Sequence, residues 1–173
     1  MNPINSIPLG EACTIVGGGT PSRAIPEYFQ GELPWATVKD FKNHIIADTE
    51  EHITDSAVAG SAANVVDPGT VLLVSRVGLG KVAIAGTRMA INQDIKALTP
   101  KPGISTEYMF WFLLSKASAI QKMGAGATVK GITLNDIKAI SFPVPHMDEQ
   151  LSIVDVLSRA DSIVRLILIS IRK

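Results

Sequence analysis

A chain of 173 residues, 46% of them apolar, is long enough for one domain with an appendage and needs no covalent help to build a core. Cys13 is the only cysteine, which excludes a disulfide framework or a cysteine zinc site and points to a reducing, cytoplasmic setting. Basic and acidic residues balance at 16 each, so a phosphate-binding face has to come from segregation of charge, with Asp48, Glu50, Glu51 and Asp55 apart from acid-free stretches such as 76–88.

The first predicted strand runs from Leu9 to Val16 and ends at the triple glycine 17–19, with Thr20, Pro21, Ser22 and Arg23 following as a loop. A second strand is expected around Trp35 to Val38, entered through Pro34. Asp55 is placed to cap an Ala-rich helix reaching toward Val65, and Asp67, Pro68 and Gly69 form a turn. Thr70 to Arg76, Lys81 to Ala85 and Met89 to Leu98 read as three further strands separated by glycine turns. Ser105 starts a helix with Glu107 near its N-terminus and with Met109, Phe112, Leu113, Ala117 and Ile120 at helical spacing. Gly124, Gly126 and Gly131 frame a loop holding Thr128 and Lys130; Thr133 caps a short helix to Lys138, and Ala139 to Phe142 is a brief strand.

Pro143 and Pro145 separate this body from a last segment without glycine or proline. Ile153, Val154, Leu157, Ala160, Val164, Ile167 and Ile171 recur there at spacings of three and four, opposite the polar Ser158, Asp161, Ser162 and Arg165. A helix of about 26 residues, roughly 39 Å long, is expected. Its stripe either folds back on the body or packs on a partner helix, and the second is favoured. Residues 1–11 lack the basic start and apolar run of a signal peptide. The apolar stretch Ile163 to Ile171, interrupted by Arg165, has about half the length a bilayer requires, so no membrane association is expected.

Motifs recur in order along nearly the whole chain. Leu9-Gly10 is followed by Gly18-Gly19-Thr20-Pro21-Ser22, then by Gly31, Pro34, Trp35, Val38 and Asp40. Gly69-Thr70-Val71-Leu72-Leu73 and Ile91-Asn92-Gln93-Asp94 occupy the centre. Gly126-Ala127-Thr128 precedes Ile132 and Ile137, and Phe142-Pro143-Val144-Pro145 leads to Glu149-Gln150 and Ile153. This ordered series resembles the specificity subunit of type I restriction-modification systems, within the target recognition domain superfamily. The resemblance implies an α+β fold: an irregular, mostly-β target recognition domain with packed helices over residues 1–145, then a conserved dimerisation and partner-contact helix over 146–173. It implies recognition of a bipartite site on double-stranded DNA, alongside methyltransferase and restriction subunits. Usual members carry two recognition domains and two conserved helices. One of each here implies a half-subunit, either natural or a fragment, whose homodimer reads a palindromic bipartite site.

For such a reader the useful side chains are loop donors to phosphates and to base edges. The candidates are Ser22, Arg23, Lys39, Lys42, Arg76, Lys81, Asn92, Gln93, Thr128 and Lys130. Arg23, Lys42 and Lys130 also fit plain solvated charges, Asn92 and Gln93 fit backbone partners in a strand, and Trp35 is read as core. The dimer interface is expected at Ile153, Leu157, Ala160, Val164, Ile167 and Ile171.

Enzymatic readings fare poorly. His44 and His52 are not in a His-Glu-x-x-His pattern, and Gly80-Lys81 lacks both the earlier glycine and the following Ser or Thr of a P-loop. Asp67 with Asp94 and Lys96 only faintly resembles a metal nuclease core. No catalytic residue, metal ion or cofactor is expected. The alternative reading is a protein-interaction module that binds methyltransferase subunits without reading DNA.

Overall fold

The computed structural model describes residues 4–124 and 131–171. Its strands are β1 (Ser6–Pro8), β2 (Cys13–Gly17), β3 (Leu33–Ala36), β4 (Ile45–Ile46), β5 (His52–Ile53), β6 (Asn64–Val66), β7 (Val71–Val74), β8 (Val82–Ala85), β9 (Met89–Ile91), β10 (Ile95–Pro100) and β11 (Ser141–Pro143). Its helices are α1 (Leu9–Ala12), α2 (Asp55–Ala59), α3 (Thr106–Ser115), α4 (Ala117–Gly124), α5 (Leu134–Ala139) and α6 (Met147–Ile171). The fold is α+β, as the sequence implied.

The strands β2, β10, β7, β8 and β4 form one sheet in that spatial order, and β5, β3, β9 and β6 form another. All four residues of β7 are buried because both faces of its sheet are covered. Val71 and Leu73 enter a core with Leu9, Met109, Leu113 and Phe142, beneath the helices. Leu72 and Val74 point the other way, toward Met89, Ile91 and Ile95 between the sheets. The opposite face of the second sheet carries a smaller cluster of Trp35, Ile53, Ala57 and Ala90. β1 pairs antiparallel with β11 and ties the N-terminal segment to the residues preceding α6.

Several expected elements shift, each for a local reason. Leu9 to Ala12 is a helical turn rather than strand, because Leu9 and Ala12, three apart, are both buried and Leu9 N donates to Ile140 O at 2.8 Å. The second strand ends at Ala36, and Thr37 and Asp40 close a reciprocal capping box on a 3-10 turn at Val38–Asp40. Thr54, not Asp55, caps α2 by accepting from Ala57 N, and the helix stops at Ala59 so that β6 can pair with β9. The expected strand from Met89 to Leu98 is two strands in different sheets. Between them Asn92 Oδ1 accepts from Asp94 N at 3.1 Å, a local bond that turns the chain out of one sheet and into the other. The helix capped by Ser105 breaks after Ser115 into α3 and α4. Thr133 caps α5 through a capping box with Asp136, and the last short strand begins at Ser141.

The expected C-terminal helix is present as α6, and its seating is unusual. Gln150 is fully buried: its Oε1 accepts from Ser105 N at 2.9 Å, and its Nε2 donates to the carbonyls of Gly103 (2.9 Å) and Pro145 (3.0 Å). One turn on, Val154 packs against the helical core, so it belongs to the body-facing side and not to the outer stripe. Trp111 Nε1 then donates to Ser158 Oγ at 3.3 Å. Asp161 lies 3.6 Å from His44 Nδ1 and accepts from Arg165 Nε at 2.6 Å. The polar line of α6 therefore faces the body, and the apolar stripe faces solvent, with Val164 53%, Ile167 52% and Ile171 75% exposed. His44 itself rests against Phe110 and Trp111. Burial pushes its imidazole below the ordinary histidine range; Arg165 adds to this, and Asp161, already engaged by Arg165, offsets only part. Among the described residues no helix is long and apolar enough to cross a membrane.

Replacing Gln150 by Leu leaves the Ser105 amide and two carbonyls without their buried partner. Urea unfolding of Gln150→Leu is expected to show a loss of roughly 2–4 kcal/mol; a change within ~0.5 kcal/mol contradicts the anchoring role.

Candidate nucleic-acid interface

The registers of the two sheets bring four connecting segments to one end of the body. In the first sheet Gly17 lies opposite Lys96, Ile95 opposite Val74, and Leu73 opposite Val82. The end of β2, the start of β10, the end of β7 and the start of β8 thus share an edge. In the second sheet β3 runs parallel to β9, with Ala36 opposite Ile91. Segments 18–23, 37–44, 75–81 and 92–94 all emerge there.

Hydrogen bonds knit them together. Gly19 N donates to Ile91 O at 3.0 Å, and Trp35 Nε1 donates to Gly19 O at 3.2 Å. Asn92 N donates to Ala36 O at 3.0 Å and Ser75 N to Asp94 O at 2.7 Å. Thr20 and Gln93 are joined through their side chains. Gly18 and Gly19 are needed for this packing: a Cβ on Gly18 would overlap the backbone carbonyls of Ile91 and Asn92, and one on Gly19 would overlap the backbone at Ala62. Gly78 and Gly80 turn the 75–81 segment with φ of +83° and +86°.

The nominated side chains fall into distinct groups. Ser22 and Lys39 are exposed, and Ser22 Oγ accepts from Ala24 N at 3.3 Å. Arg23 is held in a fork by Glu51, at 2.5 and 2.8 Å, and its guanidinium lies 4.0 Å over the Phe29 ring. The hydrogen bond from Arg23 also holds the Glu51 carboxyl below its ordinary range. Lys42 pairs with Glu50 at 2.7 Å. Arg76 is exposed, 3.6 Å from Asp94, while Lys81 Nζ reaches the carbonyl of Val38 at 3.4 Å. Gln93 is exposed, but Asn92 is buried, with its side chain spent on the turn. Thr128 and Lys130 lie outside the described residues; the adjoining Ile132 N donates to Ser75 O at 2.9 Å beside Arg76.

The expected segregation of charge is only partial. Glu50 and Glu51 lie at this same end, because the 49–51 stretch runs along β3, where Trp35 N donates to Glu51 O at 3.0 Å. They neutralise Lys42 and Arg23. Lys39, Lys81 and Lys96 form no ion pair with a described carboxylate. From the sequence, Lys96 stood out only in the faint nuclease grouping and not among the DNA-facing candidates. It is half-buried beside Gly17, and its Nζ donates to Gln93 O at 3.4 Å. Burial pushes its ammonium below the usual lysine value; Asp94 opposes this, and Arg76 adds to it. The available signal was a lone lysine between two fully apolar neighbours in a strand facing a glycine.

The faint metal-nuclease grouping is not assembled. Asp67 precedes β7, whereas Asp94 lies beyond the far end of that strand, at the Ile95–Val74 pair. Among the described residues no three His, Cys, Asp or Glu side chains cluster in a way that could hold a metal ion.

Residues 1–171 match the family described as the type I restriction modification DNA specificity domain. The chain belongs to the type I restriction-modification DNA specificity domain family. Among relatives of this family, the MjaIX specificity subunit of Methanocaldococcus jannaschii is 34% identical over 155 residues, covering 87% of this chain and 36% of that protein. The EcoR124I/EcoR124II specificity subunit of Escherichia coli is 31% identical over 162 residues, covering 90% of this chain and 40% of its own length. The crystal structure of the HsdS subunit from Thermoanaerobacter tengcongensis superposes with a TM-score of 0.77 at 23% identity, covering 96% of this chain and 39% of that one. A type I system S subunit from M. genitalium gives 0.68 at 18% identity, with 94% and 40% covered. This specificity domain therefore spans well under half the length of the relatives it matches.

The Gly18 contact yields a direct test of how the loop end is built. Gly18→Ala is expected to lower stability by about 3 kcal/mol or more in denaturant unfolding, since only backbone atoms are available to give way. A stability within ~1 kcal/mol of the native chain contradicts the close approach of this loop to β9.

Proposed function

We propose that the chain is a DNA sequence-reading subunit of a type I restriction-modification system, without catalytic groups of its own, acting in the cytoplasm. The body, residues 1–145, docks its loop end on one half-site, and the segment 146–173 serves as spacer and pairing helix. The observation that carries this reading is the convergence of four segments, bearing Arg23, Lys39, Arg76, Lys81 and Gln93, at one end of a body from this family. Lys39, Lys81 and Arg76 suit phosphate contacts, and Gln93 suits a base edge. Ser22 and Lys42 border the same end, whereas Asn92 shapes the turn that presents Gln93.

Two copies pair through Ile153, Leu157, Ala160, Val164, Ile167 and Ile171, giving a homodimer that reads a palindromic bipartite site. A 25-residue helix is roughly 37 Å long, close to one turn of DNA at about 34–36 Å, so both half-sites fall on similar faces of the duplex. Methyltransferase subunits bound along the paired helices flip the target base out of the stack and methylate it. Restriction subunits act on unmodified DNA.

The test is to assemble the chain with a methyltransferase subunit and map the methylated positions by sequencing. Two identical inverted half-sites at a fixed spacing are expected. A complex that forms but modifies no defined sequence identifies instead a protein-interaction module, which the zero net charge and the paired Arg23 and Lys42 would suit. Lys39→Ala and Lys81→Ala should each weaken DNA binding across all sequences and reduce the slope of log affinity against log salt by about 1; unchanged slopes remove those two lysines from the phosphate set.

A further inference from the structure

The body-facing line of α6 is polar at Gln150, Ser158, Asp161 and Arg165, with Val154 as its one apolar member. The root of the helix is fixed by Gln150, whose three hydrogen bonds all go to backbone atoms of 103, 105 and 145. A clamp at one point leaves a rod free to pivot. The second point of attachment lies about two to three turns further on, where Trp111 meets Ser158 and His44 meets Asp161. His44 and Trp111 are stacked on one another edge to face, with ring centroids 5.3 Å apart, and His44 also rests 4.8 Å from the Phe110 ring. Arg165 locks Asp161 in position from one turn further along the helix.

We infer that His44, Trp111, Ser158 and Asp161 are positioning residues that fix the direction in which α6 leaves the body. This role rests on the function proposed above, and there it sets the allowed separation of half-sites. The lever arithmetic makes the seam matter. A tilt of about 5° about Gln150 moves the tip of a helix of roughly 32 Å by about 3 Å, which is close to the ~3.4 Å rise of one base pair. A helix held only at its root would therefore blur the spacing by a base pair or more, even with base recognition intact. His44 belongs to the 37–44 segment that emerges at the loop end, and its backbone oxygen accepts from Ile84 N at 2.8 Å. The seam thus joins the helix directly to the sheet and to one of the candidate DNA-facing loops.

The seam is tested by distance measurement within one chain. Spin labels are placed on the full chain at Gln30→Cys, on the body, and Ser170→Cys, near the helix tip; both positions are exposed. Cys13 is buried, and burial pushes its thiol up to about 12, so it stays unlabelled. Labelled protein is diluted into unlabelled protein so that only intrachain distances are read by pulsed electron resonance. The native chain should give one narrow distance. His44→Ala combined with Ser158→Ala should lose that single narrow peak, as should Trp111→Phe, which keeps an aromatic ring but removes the indole donor. Arg159→Ala, which removes an exposed pair with Asp155 on another face, should change nothing. Unchanged narrow distances in both seam variants overturn the inference. The second arm assembles the same proteins with a methyltransferase subunit and offers DNA panels whose half-site separation differs by single base pairs. The native chain should methylate one separation and the seam variants the neighbouring ones as well. Broadened distances with an unchanged spacing preference overturn the spacing role. A native chain that methylates no panel member counts against the proposed function instead, while the distances still decide the seam.

Discussion

A helix that turns its polar side inward is held by something specific, because the usual driving force for seating a helix is burial of its apolar face. In α6 that specific hold is Gln150, a side chain with no solvent exposure whose amide satisfies one backbone donor and two backbone acceptors at the root of the helix. A buried amide of this kind is costly to leave unpaired and so defines a single geometry. Once it is fixed, Val154 and Ser158 follow onto the body, and the residues on the other side have nowhere to go but outward. Ile153, Leu157, Ala160, Val164, Ile167 and Ile171 then form a line in steps of four and three, the rhythm of a coiled-coil seam. Leu166 and Leu168, 68% and 51% exposed, make the tip apolar on more than one side.

The other end of the molecule is organised by the same economy of backbone. Two sheets share one edge where β2, β7, β3 and β9 end and β8 and β10 begin, and close approach there is possible only because Gly18 and Gly19 carry no Cβ. The loops that emerge are therefore short and cross-bonded rather than independent. Their charge is mixed. Arg23 is committed to Glu51 and to the Phe29 face, and Lys42 to Glu50, so among the described residues of this end the cations left for a polyanion are Lys39, Lys81, Lys96 and the loosely paired Arg76. A modest, patterned set of cations on a neutral protein places more of any sequence preference on shape and base-edge contacts than on bulk attraction.

Long periodic features were readable in the sequence. The spacing of Ile153 to Ile171 marked α6, Ser105 was the cap of α3, and Thr133 that of α5. The glycine and proline motifs, read in order, gave the family. What stayed hidden depended on partners distant along the chain. No local pattern says that Trp111 and His44 receive the polar face of α6, or that Glu51 returns to Arg23. The stretch from Met89 to Leu98 read as one strand because both halves are strands with buried apolar residues, and only Asn92 and Asp94 hinted at the turn between sheets. The four residues Leu9–Ala12 are too few for periodicity to separate helix from strand, and there β2 and the Ile140 carbonyl decide. Lys96 was weighed only beside Asp67 and Asp94, because its place in a strand hid the room that the absent side chain at Gly17 leaves for its ammonium.

The central physical claim is that the outward stripe of α6 is a surface for a second copy of the chain, as proposed above. The most direct measurement is the mass of the full chain by light scattering across a concentration series, beside a Leu157→Asp/Val164→Asp variant. Both substitutions lie on the solvent side of α6, away from the Gln150 anchor, so the variant should keep the native far-UV circular dichroism and a cooperative unfolding transition. A dimer for the native chain and a folded monomer for the variant is the predicted result; a native chain that stays monomeric at tens of micromolar contradicts it.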